Sequence, residues 1–384
     1  MFPACFTARF ILSLLFPCLL LPFTACVAGL SPPPLPPGLL LRTAGPVDRG
    51  GIVVWAPDGE RIALAYKGTR IRNLATGAEE VLDSALPVAL CWSADGEKLV
   101  AAYAVPAGLR LRLFALGSVG PVGETTVPGR VAGLFCPDDG SVVVIASVLR
   151  TFSFGGNFAT SLYRWDGANE PTAIIVNDVS VKPLTLKKLG ASIFDLVQPQ
   201  LAPMQDELLF TRLHDPPALA PYFQLVQVHL LSGSSRVVAD LPLTSSGGRY
   251  LAQGERVLVA DGQGSTLLID PWTQEVAAVL SLPGHVLATS PVGSRQLVDG
   301  HLFVDDKEIA VLPDVDAAGF APRGDRLLIR RDGDLFLLEY LPAEPRPSWF
   351  VDPLRQRLLK LRQWRSSGLI NHTDYLNKRG EMLP

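Results

Sequence analysis

A phrase recurs along this chain: an aromatic or apolar residue, a tight turn, then a short alternating strand. It reads Trp55-Ala-Pro-Asp-Gly59 ahead of Arg61-Ile-Ala-Leu-Ala-Tyr66, and again Trp92-Ser-Ala-Asp-Gly96 ahead of Lys98-Leu-Val-Ala-Ala-Tyr103. Weaker copies begin at Phe135 (Phe-Cys-Pro-Asp-Asp-Gly140), Leu201, Tyr250, Thr289 and Phe320. Within a copy, Pro presets φ, Asp closes the turn through its side chain, and Gly accepts the positive φ. Ile62, Leu64 and Tyr66 then alternate with the period of a strand. A second hairpin follows several copies, as in Arg72-Asn-Leu-Ala-Thr-Gly77 before Glu80, and in Leu268-Ile-Asp-Pro-Trp-Thr-Gln274 before Glu275. Two hairpins make a four-stranded blade. Units of roughly 30 to 50 residues, built only of strands and turns, predict a β-propeller.

Seven copies predict an all-β ring of seven blades over residues 50–341. The short interval from Thr289 to Phe320 leaves six blades as the alternative. Strands near 326–331 and 334–340 leave the last unit one strand short. Leu39-Leu-Leu-Arg-Thr43 is the candidate to supply it, which closes the ring and removes open sheet edges. The interval from Phe135 to Leu201 is too long for a plain blade. It reads as a loop excursion over 150–195, with Phe152, Phe154 and Phe158 as exposed aromatics and Lys187 and Lys188 as local positive charge. Long loops on rigid scaffolds carry binding residues, so these five are partner-binding candidates. The bland alternative is an elaborated blade whose Phe residues pack on its own rim.

Charge is unevenly placed. The net charge is −3, yet residues 352–384 hold seven Lys or Arg against three Asp or Glu, and residues 26–351 hold 26 basic and 34 acidic residues. An acidic body argues against nucleic acid on the propeller face. Ahead of that body, Arg9 precedes an apolar run over 10–30 that is broken at Pro17 and Pro22. This is the layout of a cleaved export signal. Ser31-Pro-Pro-Pro-Leu-Pro-Pro37 follows as an extended spacer.

Phe23-Thr-Ala-Cys26 resembles the lipobox of bacterial lipoproteins, with Phe where that family carries Leu. The resemblance implies lipid on Cys26 and a membrane-anchored body in the cell envelope or periplasm; ordinary cleavage nearby and a retained anchor are the alternatives. The repeat turns resemble the TolB-like, WD40-like propeller repeats of bacterial envelope proteins. They lack the Gly-His and Trp-Asp signatures of eukaryotic WD40 repeats.

After Pro353 the pattern becomes helical, with Leu354, Leu358 and Leu361 spaced among Arg and Lys. Ser366-Ser-Gly368 ends that helix, and Asn371-His-Thr-Asp374 opens a second. The phrase from Leu361 to Leu383 resembles the SHOCT module, a short C-terminal helical hairpin. It keeps Gly368, Leu369, Ile370, Tyr375, Lys378 and Leu383, with Trp364 on the first helix. The resemblance implies oligomerisation or partner docking. A packing cap on the propeller rim and a helix lying on anionic lipid are the alternatives. The expected divisions are a lipoprotein-type signal over 1–25, a Pro-rich tether with the closing strand over 26–49, the propeller over 50–341, a linker over 342–352, and the hairpin over 353–384.

No enzyme motif is present. Gly-x-Ser-x-Gly, HExxH, CxxC and GxxxxGK[ST] are all missing. His214, His229, His285, His301 and His372 are scattered without ligand spacing. Asp305-Asp306 and Asp314/Asp316 read as turn acids. Cys91 and Cys136 read as two thiols, and Trp55 and Trp92 as packing between blades. The expectation is therefore a non-catalytic protein-binding or assembly scaffold of the bacterial cell envelope, with no cofactor and no metal. Its partners are an envelope protein, the membrane through the lipid, and further copies through the tail. The runner-up is a propeller enzyme or small-ligand binder with its site on the central channel.

Overall fold

The Pro-Asp-Gly turns close through the side chains that the repeat supplies. In the computed structural model, Asp58 accepts from the N–H of Glu60 at 2.8 Å and of Arg61 at 3.1 Å, while Gly59 sits at φ 71°. Asp95 accepts from Glu97 at 2.9 Å beside Gly96 at φ 73°. In the third copy it is Asp139, accepting from Ser141 at 2.9 Å, that plays this part beside Gly140. The described residues are 35–48, 50–189, 199–202, 206–245, 247–251, 256–260, 266–271, 273–280, 286–290, 295–304 and 307–340, with 361, 374 and 378.

Each turn joins an inner strand to its antiparallel neighbour, and a third and a fourth strand follow outward. The described residues form seven sheets of four strands. These blades span 53–83, 89–127, 130–181, 200–241, 249–280, 286–311, and 317–340 with Leu39–Pro46. The short sixth interval is explained by its strands, which are only four or five residues long.

Leu39–Pro46 pairs antiparallel with Asp334–Tyr340, from Leu39 opposite Tyr340 to Pro46 opposite Asp334. An N-terminal strand thus becomes the outer strand of the seventh blade, so both ends of the repeat region sit in one sheet. Leu35, Leu39 and Leu41 pack against the cluster of Leu302, Leu327 and Leu338 between the sixth and seventh blades.

The apolar alternation puts the core between blades. Ala63, Leu64, Leu99, Ala101, Val143 and Leu208 are wholly buried. Each large aliphatic side chain so placed contributes about 1.5–3 kcal/mol of burial free energy. Polar contacts then fix successive blades at the hub. Trp55 donates its ring N–H to the carbonyl of Gly319 at 2.9 Å, and Trp92 to that of Val54 at 3.4 Å. Arg61 reaches the carbonyl of Gly96 in the next blade at 3.2 Å and Arg295 reaches that of Gly324. Trp55 and Trp92 are inter-blade packing residues.

Candidate partner-binding face of the third blade

The long interval after Phe135 is spent on strands. Val142–Phe152 and Gly155–Trp165 are each 11 residues, and Thr172–Val181 is 10. The loop excursion expected from residue 150 is therefore, up to Val181, a sheet extension. It continues as the helix Pro183–Leu189, and residues 190–198 lie outside the described ones. The lengthened ladder carries a two-residue turn, Ser153-Phe154, with Phe152 opposite Gly155. Gly155 is required there. At φ 149° a side chain is strained, and an added Cβ would lie 2.6 Å from the carbonyl oxygen of Val181.

Phe152 and Phe154 stack at this tip, centroids 5.8 Å apart and planes 12° apart. They are 52% and 80% exposed, so the pair is presented to solvent. Phe158 is not part of it. At 2% exposure it lies in the core with Leu162, Leu213 and Phe223, because the lengthened strand turns alternate side chains inward. Its assignment as a partner-binding residue is corrected accordingly.

The helix sits beside the tip. Pro183 and Leu186 lie 3.6 and 3.3 Å from where a Cβ would stand on Gly155 and Gly156. Asp215, from the fourth blade, holds the helix start. Its carboxylate accepts from the backbone N–H of Lys182 at 3.0 Å and from the hydroxyl of Thr185 at 3.2 Å. Lys182 in turn donates to the carbonyl of Pro216 at 2.9 Å. Lys187 and Lys188 are exposed in the last helical turn, where positive charge complements the terminal carbonyls. Leu184 and Leu219 are exposed on the helix and on the 215–221 connection, and Arg150 is exposed two residues before Phe152. The result is an apolar projection with a basic border. Sequence reading passed over Leu184, Leu219 and Asp215. Leu219 stands in Pro-Pro-Ala-Leu-Ala-Pro221, where an apolar residue between prolines is the signal for an exposed turn.

The other candidates offer less. The seven inner strands (Val53–Trp55, Ala89–Trp92, Arg130–Phe135, Gln200–Leu201, Arg249–Leu251, Val286–Thr289 and Ala317–Phe320) contain no Asp or Glu. No group of three or more His, Cys, Asp or Glu among the described residues is placed to hold a metal. A polar groove beside the first and third turns of the third blade is lined by Asp139, Arg164, Asp166 and Asn169. Two of its carboxylates are already engaged, Asp139 by Arg164 and by Ser141, and Asp166 by Ala168 and Asn169. His301 pairs with Glu308 at 2.9 Å on the sixth blade.

Of the tail residues, Leu361 and Lys378 lie in helical backbone, Leu361 buried and Lys378 exposed. Trp364, Gly368, Leu369, Ile370, Tyr375 and Leu383 lie outside the described residues, as does Cys26.

The chain is similar to a chain of the mitotic checkpoint complex crystal structure, with TM-score 0.56 and 13% identity over 87% of this chain and 98% of that one. It also matches the β-propeller domain of Cps50 (Swd1) from Myceliophteria thermophila, with TM-score 0.44 and 12% identity over 78% of this chain and 98% of that one. No protein-family model and no curated protein matches the chain. In fold, it is a WD40-like, seven-bladed β-propeller.

Proposed function

We propose that this protein is a non-catalytic binding and assembly scaffold of a bacterial cell envelope, attached to the membrane through lipid on Cys26. The propeller holds a protein partner on the third-blade projection, and the SHOCT-like tail serves self-association or docking. The observation that carries this reading is the stacked, exposed Phe152–Phe154 pair on a lengthened hairpin. Two aromatic rings held out in water cost free energy that a partner recovers by covering them. The border of Arg150, Lys187 and Lys188 selects a partner surface that is apolar at its centre and acidic at its edge. The similar propeller chain in the mitotic checkpoint complex supports the reading in its coarser form, since that chain too belongs to a protein assembly.

In-cell cross-linking and affinity purification of full-length protein, of F152S/F154S and of a version ending at Leu341 tests the reading. A partner recovered with wild type and the truncated version, and lost with F152S/F154S at unchanged melting temperature, supports recognition by the projection. Recovery with F152S/F154S at wild-type yield removes it.

A further inference from the structure

The hub positions repeat from blade to blade, and in one copy they hold two thiols. In four copies the turn is closed by the same backbone hydrogen bond: Gly59 to Ala56, Gly96 to Ser93, Gly140 to Pro137 and Gly324 to Ala321. Counting back from that bond, the residue entering the turn is Trp55, Trp92, Cys136 and Phe320. The third copy is therefore displaced by one from the Phe135 start read in the sequence. Phe135–Gly140 holds six residues where Trp55–Gly59 and Trp92–Gly96 hold five, so the count back from Gly140 ends on Cys136.

The turn-entry residue has a fixed neighbour. Trp55 donates to Gly319, the residue before Phe320, and Trp92 donates to Val54, the residue before Trp55. By the same rule Cys136 meets the residue before Trp92, which is Cys91. The two side chains do share one cluster across the seam, where the Cys91 thiol donates to the carbonyl of Trp92 at 3.5 Å. Both pack in one cluster with Val100, Leu134 and Val144. Both are free thiols, Cys136 buried and Cys91 half-buried.

We propose that Cys91 and Cys136 are a modification site, forming a disulfide that ties the second blade to the third when the folded chain meets a small-molecule disulfide. The Cys91 thiolate attacks one sulfur of the external disulfide, whose S–S bond breaks and releases one thiol. Cys136 then gives up its proton and attacks the Cys91 sulfur, and the second external thiol leaves. Two protein thiols are oxidised and one external disulfide is reduced to two thiols. Burial and the neighbouring Cys91 hold the Cys136 thiol well above the usual thiol range, which makes the second step slow and faster with rising pH. The bond would lie at the turn before Val142, at the opposite end of the strand Val142–Phe152 from the Phe152 tip.

The test uses purified full-length protein incubated with oxidised glutathione at pH values on either side of neutrality. It is then denatured, alkylated without reductant and mapped by peptide mass. The expected product joins the Cys91 and Cys136 peptides, two hydrogens lighter than the pair, forms faster at the higher pH, and has a melting temperature above that of the reduced protein. The C91S variant should leave Cys136 alkylated under the same treatment. Full alkylation of both cysteines in the wild type overturns the proposal. So does a glutathione adduct on Cys91 that persists without transfer to Cys136.

Discussion

Arg72 in the first blade donates to the carbonyl oxygen of Ala44 in the ring-closing strand at 2.6 Å. The same guanidinium donates to Pro46 at 3.0 Å and to Glu79 at 2.7 Å, and it is almost fully buried. It grips the strand at its irregularity, between Thr43 and Gly45, where Gly45 sits at φ 98°. An added Cβ on Gly45 would come within 2.8 Å of the Arg72 Nη1. The seventh blade is thus fastened to the first by a side chain as well as by its ladder.

Replacing Arg72 with Leu leaves the carbonyls of Ala44 and Pro46 without that donor and Glu79 with Arg70 alone. We expect a loss of about 3 kcal/mol in urea unfolding, the cost of breaking one partner out of a buried charged network. A loss below about 1 kcal/mol would mean that the grip is incidental. Deleting residues 38–45 should abolish the cooperative transition altogether, and an unchanged melting temperature would refute closure by that strand.

Phe152 and Phe154 on one side and Phe158 on the other should separate cleanly. F152S/F154S removes exposed rings and is expected to change stability by no more than about 0.5 kcal/mol. Phe158→Ala empties a core position and should cost about 3–5 kcal/mol. Equal effects in thermal or urea unfolding would place the tip pair in the core as well.

Asp215 should matter locally. Asp215→Ala leaves the Lys182 amide and the Thr185 hydroxyl unpaired, at a cost of about 1–3 kcal/mol. Hydrogen exchange at the amides of residues 182–189 should accelerate well beyond that of Val142–Phe152. Uniform acceleration across both segments would show that Asp215 does not hold the helix in particular.

The turn carboxylates predict an acid limb. The N–H groups of Asn169 and Ala168 and the side-chain amide of Asn169 hold Asp166 down to about 2, against an ordinary 3.8. At Asp58 burial works the other way, yet the Glu60 N–H and the Arg61 guanidinium and N–H still hold it below the usual range. A folded value below the unfolded one adds stability above the unfolded value and loses it as pH falls toward the folded one. The melting temperature should therefore decline between about pH 4 and pH 2, and the Asp166 carboxyl should titrate near 2 by NMR. A midpoint for Asp166 near its ordinary value would contradict the turn geometry.

Legibility differed between the fold and the site. Trp55-Ala-Pro-Asp-Gly59 and its copies announce strand, turn and period because each residue acts on its own backbone. The closing role of Leu39–Thr43 was readable too, since the last unit lacked a strand. The blade-three projection was half readable. Its aromatics and lysines marked the place, but whether Phe158 points out or in depends on the ladder continuing past Phe152, which is set by pairing with Gly155–Trp165. Cys91 and Cys136 read as two thiols and both are free; that they share one cluster was not legible, because only the packing of the second blade on the third brings them together.

What the sequence by itself determined, then, is the repeat: turn chemistry and two-residue alternation are local properties, and they specify an all-β ring of like blades. Tertiary structure alone decided the relations between blades. The grip of Arg72 on Ala44, the anchoring of the helix by Asp215, the shared cluster of Cys91 and Cys136 and the exposure of Phe152 and Phe154 all depend on which blade lies beside which, and at what register. Those are long-range facts of chain closure, and local composition carries no record of them.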